Sequence, residues 1–184
     1  STLLDDSDLG WGNKPTTIDE FSDLRVVYQN VNGLSSTSPD TQFMFEKLRA
    51  AQCSIFLASE TNINWHNRAQ VNKFKEFGNT IWPNHRLIVC SHSCGTDSAH
   101  KTRAYLPGGC AIWVNHYWSS RIVECGCDEF HMGRWCFVTL GIKGGVLLTI
   151  FCVYRVCNQS VTTAGPLTAT RHQFDTLEMR RGRT

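Results

Sequence analysis

The apolar positions of this chain fall into short runs separated by polar breaks. Leu24 to Gln29 is β-branched and aromatic, which predicts a strand, and Asn32-Gly33 breaks it. Ser38-Pro39-Asp40 then supplies an N-cap, a first-turn proline and a neighbouring acid. Met44, Leu48 and Ala51 follow at helical spacing. Cys53 to Ala58 is a second short apolar strand, so the chain opens with a strand–helix–strand unit. A second helix is predicted over Trp65 to Phe77, where Ala69, Lys73 and Phe77 repeat every four residues and Gly78-Asn79 is expected to end it. The pattern then changes to strands: Arg86 to Ser91, Cys110 to Asn115, Arg121 to Cys127, Trp135 to Ile142 and Val146 to Tyr154. Lys143-Gly144-Gly145 marks a hairpin between the last two, and Cys94 to Pro107 is polar and reads as a loop. Such an order predicts a mixed α/β layered fold.

Two strands joined by one helix are normally parallel and linked by a right-handed crossover. Their carboxyl ends then share one edge. Asn30 directly follows the first predicted strand and Glu60 sits just past the second, so the pattern brings an amide and a carboxylate to the edge where α/β proteins place ligands. A lone carboxylate there is not specific, because a capping or loop residue explains it as well.

Charge alters the picture modestly. The 184 residues carry a formal charge of +2. Residues 1 to 24 hold six acids against Lys14, a net −5, while the rest of the chain carries +7. With Gly10, Gly12 and Pro15 and little periodicity, residues 1–24 read as an acidic leader or linker, and residues 25–184 as the domain. A basic body is compatible with a polyanionic partner or with a solvated surface. Nine cysteines, several inside apolar runs, and no signal peptide point to free thiols and an intracellular location, cytoplasmic or nuclear rather than secreted. The run Val146 to Tyr154 is too short to cross a bilayer.

Four strings carry a family resemblance. Val27 to Leu34 (VYQNVNGL), Phe56 to Asn62 (FLASETN), Gly108 to Ile112 (GGCAI) and Val146 to Arg155, an apolar strand ending in Tyr, occur in order. Together they resemble the successive motifs of the endonuclease/exonuclease/phosphatase superfamily. Trp82 to Leu87, Gly133-Arg134-Trp135, Tyr154 to Cys157 and Ala164-Gly165-Pro166 resemble a subgroup, the apurinic-endonuclease-like domains attached to retroelement reverse transcriptases.

The resemblance implies a DNase I-like α/β layered sandwich of mixed sheets flanked by helices, incomplete at its C-terminus. It implies a magnesium-dependent phosphodiester hydrolase, a DNA endonuclease domain, with Mg²⁺ (or Mn²⁺) bound by Glu60. Asn30 would orient the phosphate or the Glu, Tyr154 would donate to a phosphate oxygen, and Arg155 would add a bidentate phosphate contact. DNA is the implied partner, with a fused reverse transcriptase in a longer product and no membrane. Three departures stand out. Asn32 occupies a position that is Asp in many repair members, Val156-Cys157 replace Pro-Asn after the Tyr, with Asn158 one residue later, and no Gly-Asp-x-Asn or Ser-Asp-His string follows Tyr154. The expectation is therefore a fragment with little activity of its own.

Other readings remain open from residues alone. A phosphatase of the same superfamily would share the early motifs. A non-catalytic nucleic-acid-binding module would stack bases on Trp113, Tyr117, Trp118 and Trp135 and meet phosphates with Arg121, Arg134 and Arg155. A zinc module would draw on Cys90, His92, Cys94, Cys125, Cys127, His131 and Cys136, although their spacing fits no common structural pattern.

Overall fold

The structure is a computed structural model that describes residues 23–91, 104–128 and 132–154. Along the chain, β1 (Val26–Asn30), α1 (Pro39–Ala50), β2 (Ile55–Ser59), α2 (Arg68–Ile81), β3 (Arg86–Cys90) and β4 (Cys110–Val114) come first. The short α3 (His116–Ser119), β5 (Ile122–Cys127), β6 (Trp135–Ile142) and β7 (Val146–Val153) complete the order. Two sheets result, β1-β2-β4-β3 and β5-β6-β7.

The opening unit forms as its pattern requires. β1 pairs with β2 in parallel, from Val26 opposite Ile55 to Asn30 opposite Ser59. α1 starts where the sequence signals it: Ser38 caps the helix by accepting from the Asp40 amide, with Pro39 in the first turn. β4 then pairs antiparallel with β2 on one side and β3 on the other. In the second sheet β6 and β7 form a regular hairpin, turned by Gly144 (φ 87°) and Gly145 (φ 78°). Both glycines adopt the left-handed conformation that a tight turn requires and a side chain resists.

Side chains alternate across sheet 1 and build two cores. One face, with Phe56, Ala58, Ala111 and Trp113, packs against Phe45 and Leu48 of α1 and Phe74 and Ile81 of α2. Phe45 is the centre of that layer, with Phe56, Phe77, Trp82 and Trp113 rings 5.1–5.6 Å from its own. The other face, with Ile55, Leu57, Ile112 and Val114, packs against Cys136, Val138, Leu140 and Cys152 of sheet 2. The layers run helices, sheet, sheet, an α/β layered sandwich of the expected class. Among the described residues no helix is long and apolar enough to cross a membrane.

Several boundaries differ from expectation. β1 and β2 each begin two residues later and end one residue later than predicted, so Asn30 is the last residue of β1 rather than the residue after it. α2 begins at Arg68 because Asn67 caps it, its Oδ1 accepting from the Ala69 amide at 3.0 Å. Trp65 instead turns inward, its indole donating to Thr61 Oγ1 at 3.0 Å. Gly78 does not end α2. It lies inside the helix, where a Cβ would come within 2.6 Å of the His85 ring. α3 was not anticipated; Asn115 caps it by accepting from the Trp118 amide at 3.2 Å. The proposed base-stacking tryptophans are core residues, with Trp113, Trp118 and Trp135 exposed by 0%, 3% and 1%. Trp113 fills the layer between sheet 1 and the helices and Trp118 the layer between the sheets, and none of the three offers an open ring to a nucleic acid. The leader residues 1–22, Arg155, Asn158, His92, Cys94, His131 and the string at 164–166 lie outside the described residues.

Candidate active site

β1 and β2 run parallel, so both chains leave sheet 1 at the same end and must turn there. The turn after β1 and the turn after β2 are stitched by backbone bonds: the amides of Gly33 and Leu34 donate to the carbonyls of Glu60 and Thr61, at 2.7 and 2.9 Å. The second turn is stitched in the same way to the segment entering β4. Thr61 and Asn62 amides donate to the carbonyls of Gly109 and Gly108, at 3.2 and 2.7 Å.

This stitching demands unusual backbone. Asn32, Glu60 and Asn62 have φ of 45°, 58° and 56°, and Gly33, Gly108 and Gly109 are also left-handed. Asn tolerates that region, whereas for Glu it costs roughly 1–2 kcal/mol. Strain held at one residue by its surroundings is a pointer to function. The strained residue is the lone carboxylate singled out from the sequence.

Asn30 Nδ2 donates to Glu60 Oε2 at 2.8 Å, and Asn30 Oδ1 accepts from the Asn32 amide at 3.1 Å. The amide is thereby held at both ends and acts as an orienting group for the carboxylate. Glu60 is half-buried, and among the described residues its carboxylate has no further side-chain partner. A partly desolvated carboxylate with one oxygen steered and the other open is a hard oxygen donor. That donor set fits a Mg²⁺-type ion, which retains several waters and needs only one or two carboxylates. Among the described residues no group of three or more His, Cys, Asp or Glu side chains could hold a metal, so any ion here would rely on Glu60 with water and substrate oxygens. The same observation gives the zinc module no support among the described cysteines.

Tyr154 follows β7 and reaches the same end of the molecule by another route. Its ring lies over Gly108, where a Cβ would stand 2.8 Å from Cε1. Gly108 in turn donates its amide to Asn62 Oδ1 at 2.8 Å. Glu60 and Tyr154 are therefore linked through Asn62 and Gly108. The Tyr154 amide donates to the Arg134 carbonyl at 2.7 Å, and the Arg134 guanidinium lies 5.6 Å from the Tyr154 ring centre. Asp128, buried, accepts from the Met132 and Arg134 amides and fixes the bend before β6. Burial lowers the Arg134 pKa from its ordinary value, while Tyr154 and Asp128 work in the opposite direction. The structure thus places Asn30 against Glu60 and sets Tyr154 one loop away.

Sequence reasoning did not single out Asn62, Asp128 or the supporting role of Arg134. Asn62 carried a usable signal, since an Asn two residues after a strand-end acid suits a left-handed turn. Asp128 carried none, because its partners are backbone amides that only the folded bend brings to it.

Fold and site together define an α/β protein of two packed sheets with a single oriented carboxylate at the carboxyl ends of parallel strands. No protein-family model matches the chain, and no curated protein matches it. Two solved structures are similar in outline. One is an endonuclease/exonuclease/phosphatase family protein from Leptotrichia buccalis C-1013-b, at 11% identity and a TM-score of 0.43, covering 82% of this chain and 63% of that one. The other is an endonuclease/exonuclease/phosphatase from Beutenbergia cavernae DSM 12333, at 13% identity and a TM-score of 0.43, covering 74% and 39%. The chain thus spans less than two thirds of the length of either.

Proposed function

We propose that this chain forms the part of a divalent-metal-dependent phosphodiester hydrolase that carries its metal-binding glutamate, of the endonuclease/exonuclease/phosphatase type, with DNA as substrate. The observation that carries the reading is the Glu60 carboxylate, held in a left-handed turn and steered by Asn30 at 2.8 Å. A bound Mg²⁺ or Mn²⁺ would polarise a phosphoryl oxygen and offset negative charge as water attacks phosphorus. Glu60 supplies the anionic oxygen for the ion. Asn30 holds one oxygen of Glu60 and leaves the other open. Tyr154 directs a phenolic O–H toward a phosphate oxygen, and Arg155 adds a cation beside it. The resemblance of several motif strings to those of retroelement endonucleases supports a longer product that also carries a reverse transcriptase. The strings present here supply metal and phosphate contacts but no water-activating base, so this chain is expected to bind DNA with little cleavage of its own.

Mn²⁺ provides the direct test. Added to labelled protein, it should broaden the amide resonances of Asn30, Asn32, Gly33 and Thr61 before any others, and Glu60→Gln should abolish the effect. DNA retention by the chain should rise with Mg²⁺ and lose that dependence in the same variant. Broadening elsewhere, or DNA binding indifferent to both metal and Glu60, would overturn the reading.

A further inference from the structure

Outside the candidate site, a second reactive constellation lies between the two sheets. Cys90 is the last residue of β3 and Cys127 the last of β5, edge strands of different sheets that lie against each other. Their thiols are in hydrogen-bond contact, and the Asp128 amide also donates to the Cys90 sulfur. Cys127 is exposed, whereas Cys90 is buried. No disulfide joins the cysteines of the described residues.

The geometry points to Cys127 and Cys90 as a peroxide-responsive dithiol, in which Cys127 is the attacked thiol and Cys90 the resolving one, closing into a disulfide that bridges the two sheets. The division follows from exposure, since Cys127 is open to solvent and Cys90 is buried, and ionisation agrees with it. The Cys90 hydrogen bond brings the Cys127 pKa down to about 7, against the opposing effects of burial and of Asp128. A thiolate is the species that peroxides oxidise. Contact with Cys127 and burial both push Cys90 up, so it stays protonated until its partner has reacted. Four of the remaining described thiols, Cys53, Cys110, Cys136 and Cys152, are buried and so are poor competitors. Burial raises Cys53 to about 12 and pushes Cys110 and Cys136 well above their ordinary value. Hydrogen bonds from Cys110 and Cys136 bring Cys152 down to about 5, but its side chain is fully buried, where a peroxide does not reach it.

The chemistry balances with a hydroperoxide as the oxidant. The Cys127 thiolate attacks one peroxide oxygen, the O–O bond breaks, and hydroxide leaves to take up a proton, giving a sulfenic acid on Cys127. Cys90 then attacks the Cys127 sulfur as the S–O bond breaks. The departing hydroxide takes the Cys90 proton and leaves as water. Two thiols have lost two hydrogens, and hydrogen peroxide has become two waters. To form the bond the sulfurs must close from hydrogen-bond contact to about 2.05 Å.

Peptide mapping of the dilute, fully reduced chain after a brief stoichiometric dose of hydrogen peroxide tests this. The expected product is an intramolecular Cys90–Cys127 linkage in the wild type. In Cys90→Ser, a sulfenic acid should persist on Cys127 and be captured by a cyclic 1,3-dione. In Cys127→Ser, neither the adduct nor a disulfide at Cys90 should form. Circular dichroism confirms that each variant is folded, and the wild-type map stands without them. Pairing of Cys127 with any other cysteine, including Cys94 or Cys157, or oxidation elsewhere while Cys127 stays reduced, would overturn the assignment.

Discussion

A Cβ placed on Gly108 would stand 2.8 Å from Cε1 of Tyr154, so two distant motif strings meet at a position that only glycine fills. Gly108 is also left-handed, at φ 81°. Replacing it by Ala therefore combines a steric clash with backbone strain. Each effect alone costs roughly 1–3 kcal/mol. Gly108→Ala should lower the urea midpoint accordingly and displace the Tyr154 ring, seen as a shift in its aromatic resonances. An unchanged midpoint with an unmoved ring would mean that Tyr154 does not rest on this turn.

Asn30 and Glu60 separate into different outcomes when each is replaced. Loss of the group that orients a metal-binding carboxylate typically reduces metal affinity about 10–100-fold. Asn30→Ala should weaken Mn²⁺ binding by that order and leave the fold intact, because Asn30 is exposed. Glu60→Gly should remove binding altogether while leaving stability within about 1 kcal/mol of wild type, since relief of left-handed strain offsets the lost hydrogen bond. Chelation with EDTA should reproduce the Glu60→Gly behaviour in the wild type. A large loss of stability in Glu60→Gly with metal binding retained would make Glu60 a structural residue.

How far the sequence foretold this arrangement depends on the range of the interactions involved. Strand–helix–strand order follows from local composition, and the parallel pairing of Val26–Asn30 with Ile55–Ser59 follows from the crossover rule. The meeting of Asn30 with Glu60 at one edge was legible for the same reason. Gly78 misled because glycine is both a helix breaker and the only residue that lets a ring approach a helix, and His85, which decides between the two, lies beyond the helix. Trp113, Trp118 and Trp135 were ambiguous because a local pattern does not say which elements will cover a ring: helices cover Trp113, and Trp118 lies in the layer between the two sheets. The Cys90–Cys127 contact could not be read at all, since it depends on how two separate sheets stack.

The aromatic layer between the helices and sheet 1 makes its own prediction. Phe45 is fully buried and its ring meets those of Phe56, Phe77, Trp82 and Trp113. Phe45→Ala leaves a cavity that α1 and sheet 1 cannot both close, at a cost of about 3–5 kcal/mol. Phe45→Leu should lose much less, about 1 kcal/mol. Equal losses in chemical denaturation would show that the ring cluster contributes only area.

His85 should give stability a dependence on pH. Its Nδ1 lies 3.1 Å from the Trp82 carbonyl, and its Nε2 is buried with no hydrogen-bond partner among the described residues. Burial lowers its pKa below the ordinary value of 6.5; the Trp82 carbonyl opposes the shift and Lys75 adds to it. The unfolded chain then binds a proton more readily than the folded one. The contribution is fully present above pH 6.5 and is lost as pH falls through the folded value. The difference in urea midpoint between wild type and His85→Gln should narrow as pH drops below 6.5. A difference that stays constant would remove His85 as the titrating group.

Cys127 should betray its hydrogen bond in its rate of alkylation. Only the thiolate reacts with iodoacetamide, so the rate at Cys127 follows its ionisation. Cys90 supplies the hydrogen bond that lowers the Cys127 value, and the Asp128 charge raises it. The wild-type rate should climb through a midpoint near the value of about 7 set by that balance. Removing the donor in Cys90→Ala leaves burial and Asp128, both of which raise the value, so the midpoint should move to or above the ordinary thiol value of 9.0. Neutralising the carboxylate in Asp128→Asn should move it the other way, to lower pH, provided the bend before β6 survives the change. Opposite displacements in the two variants would assign the shift to these two neighbours, whereas a midpoint indifferent to Cys90 would leave the exposed thiol ordinary and the contact between the sheets without chemical consequence.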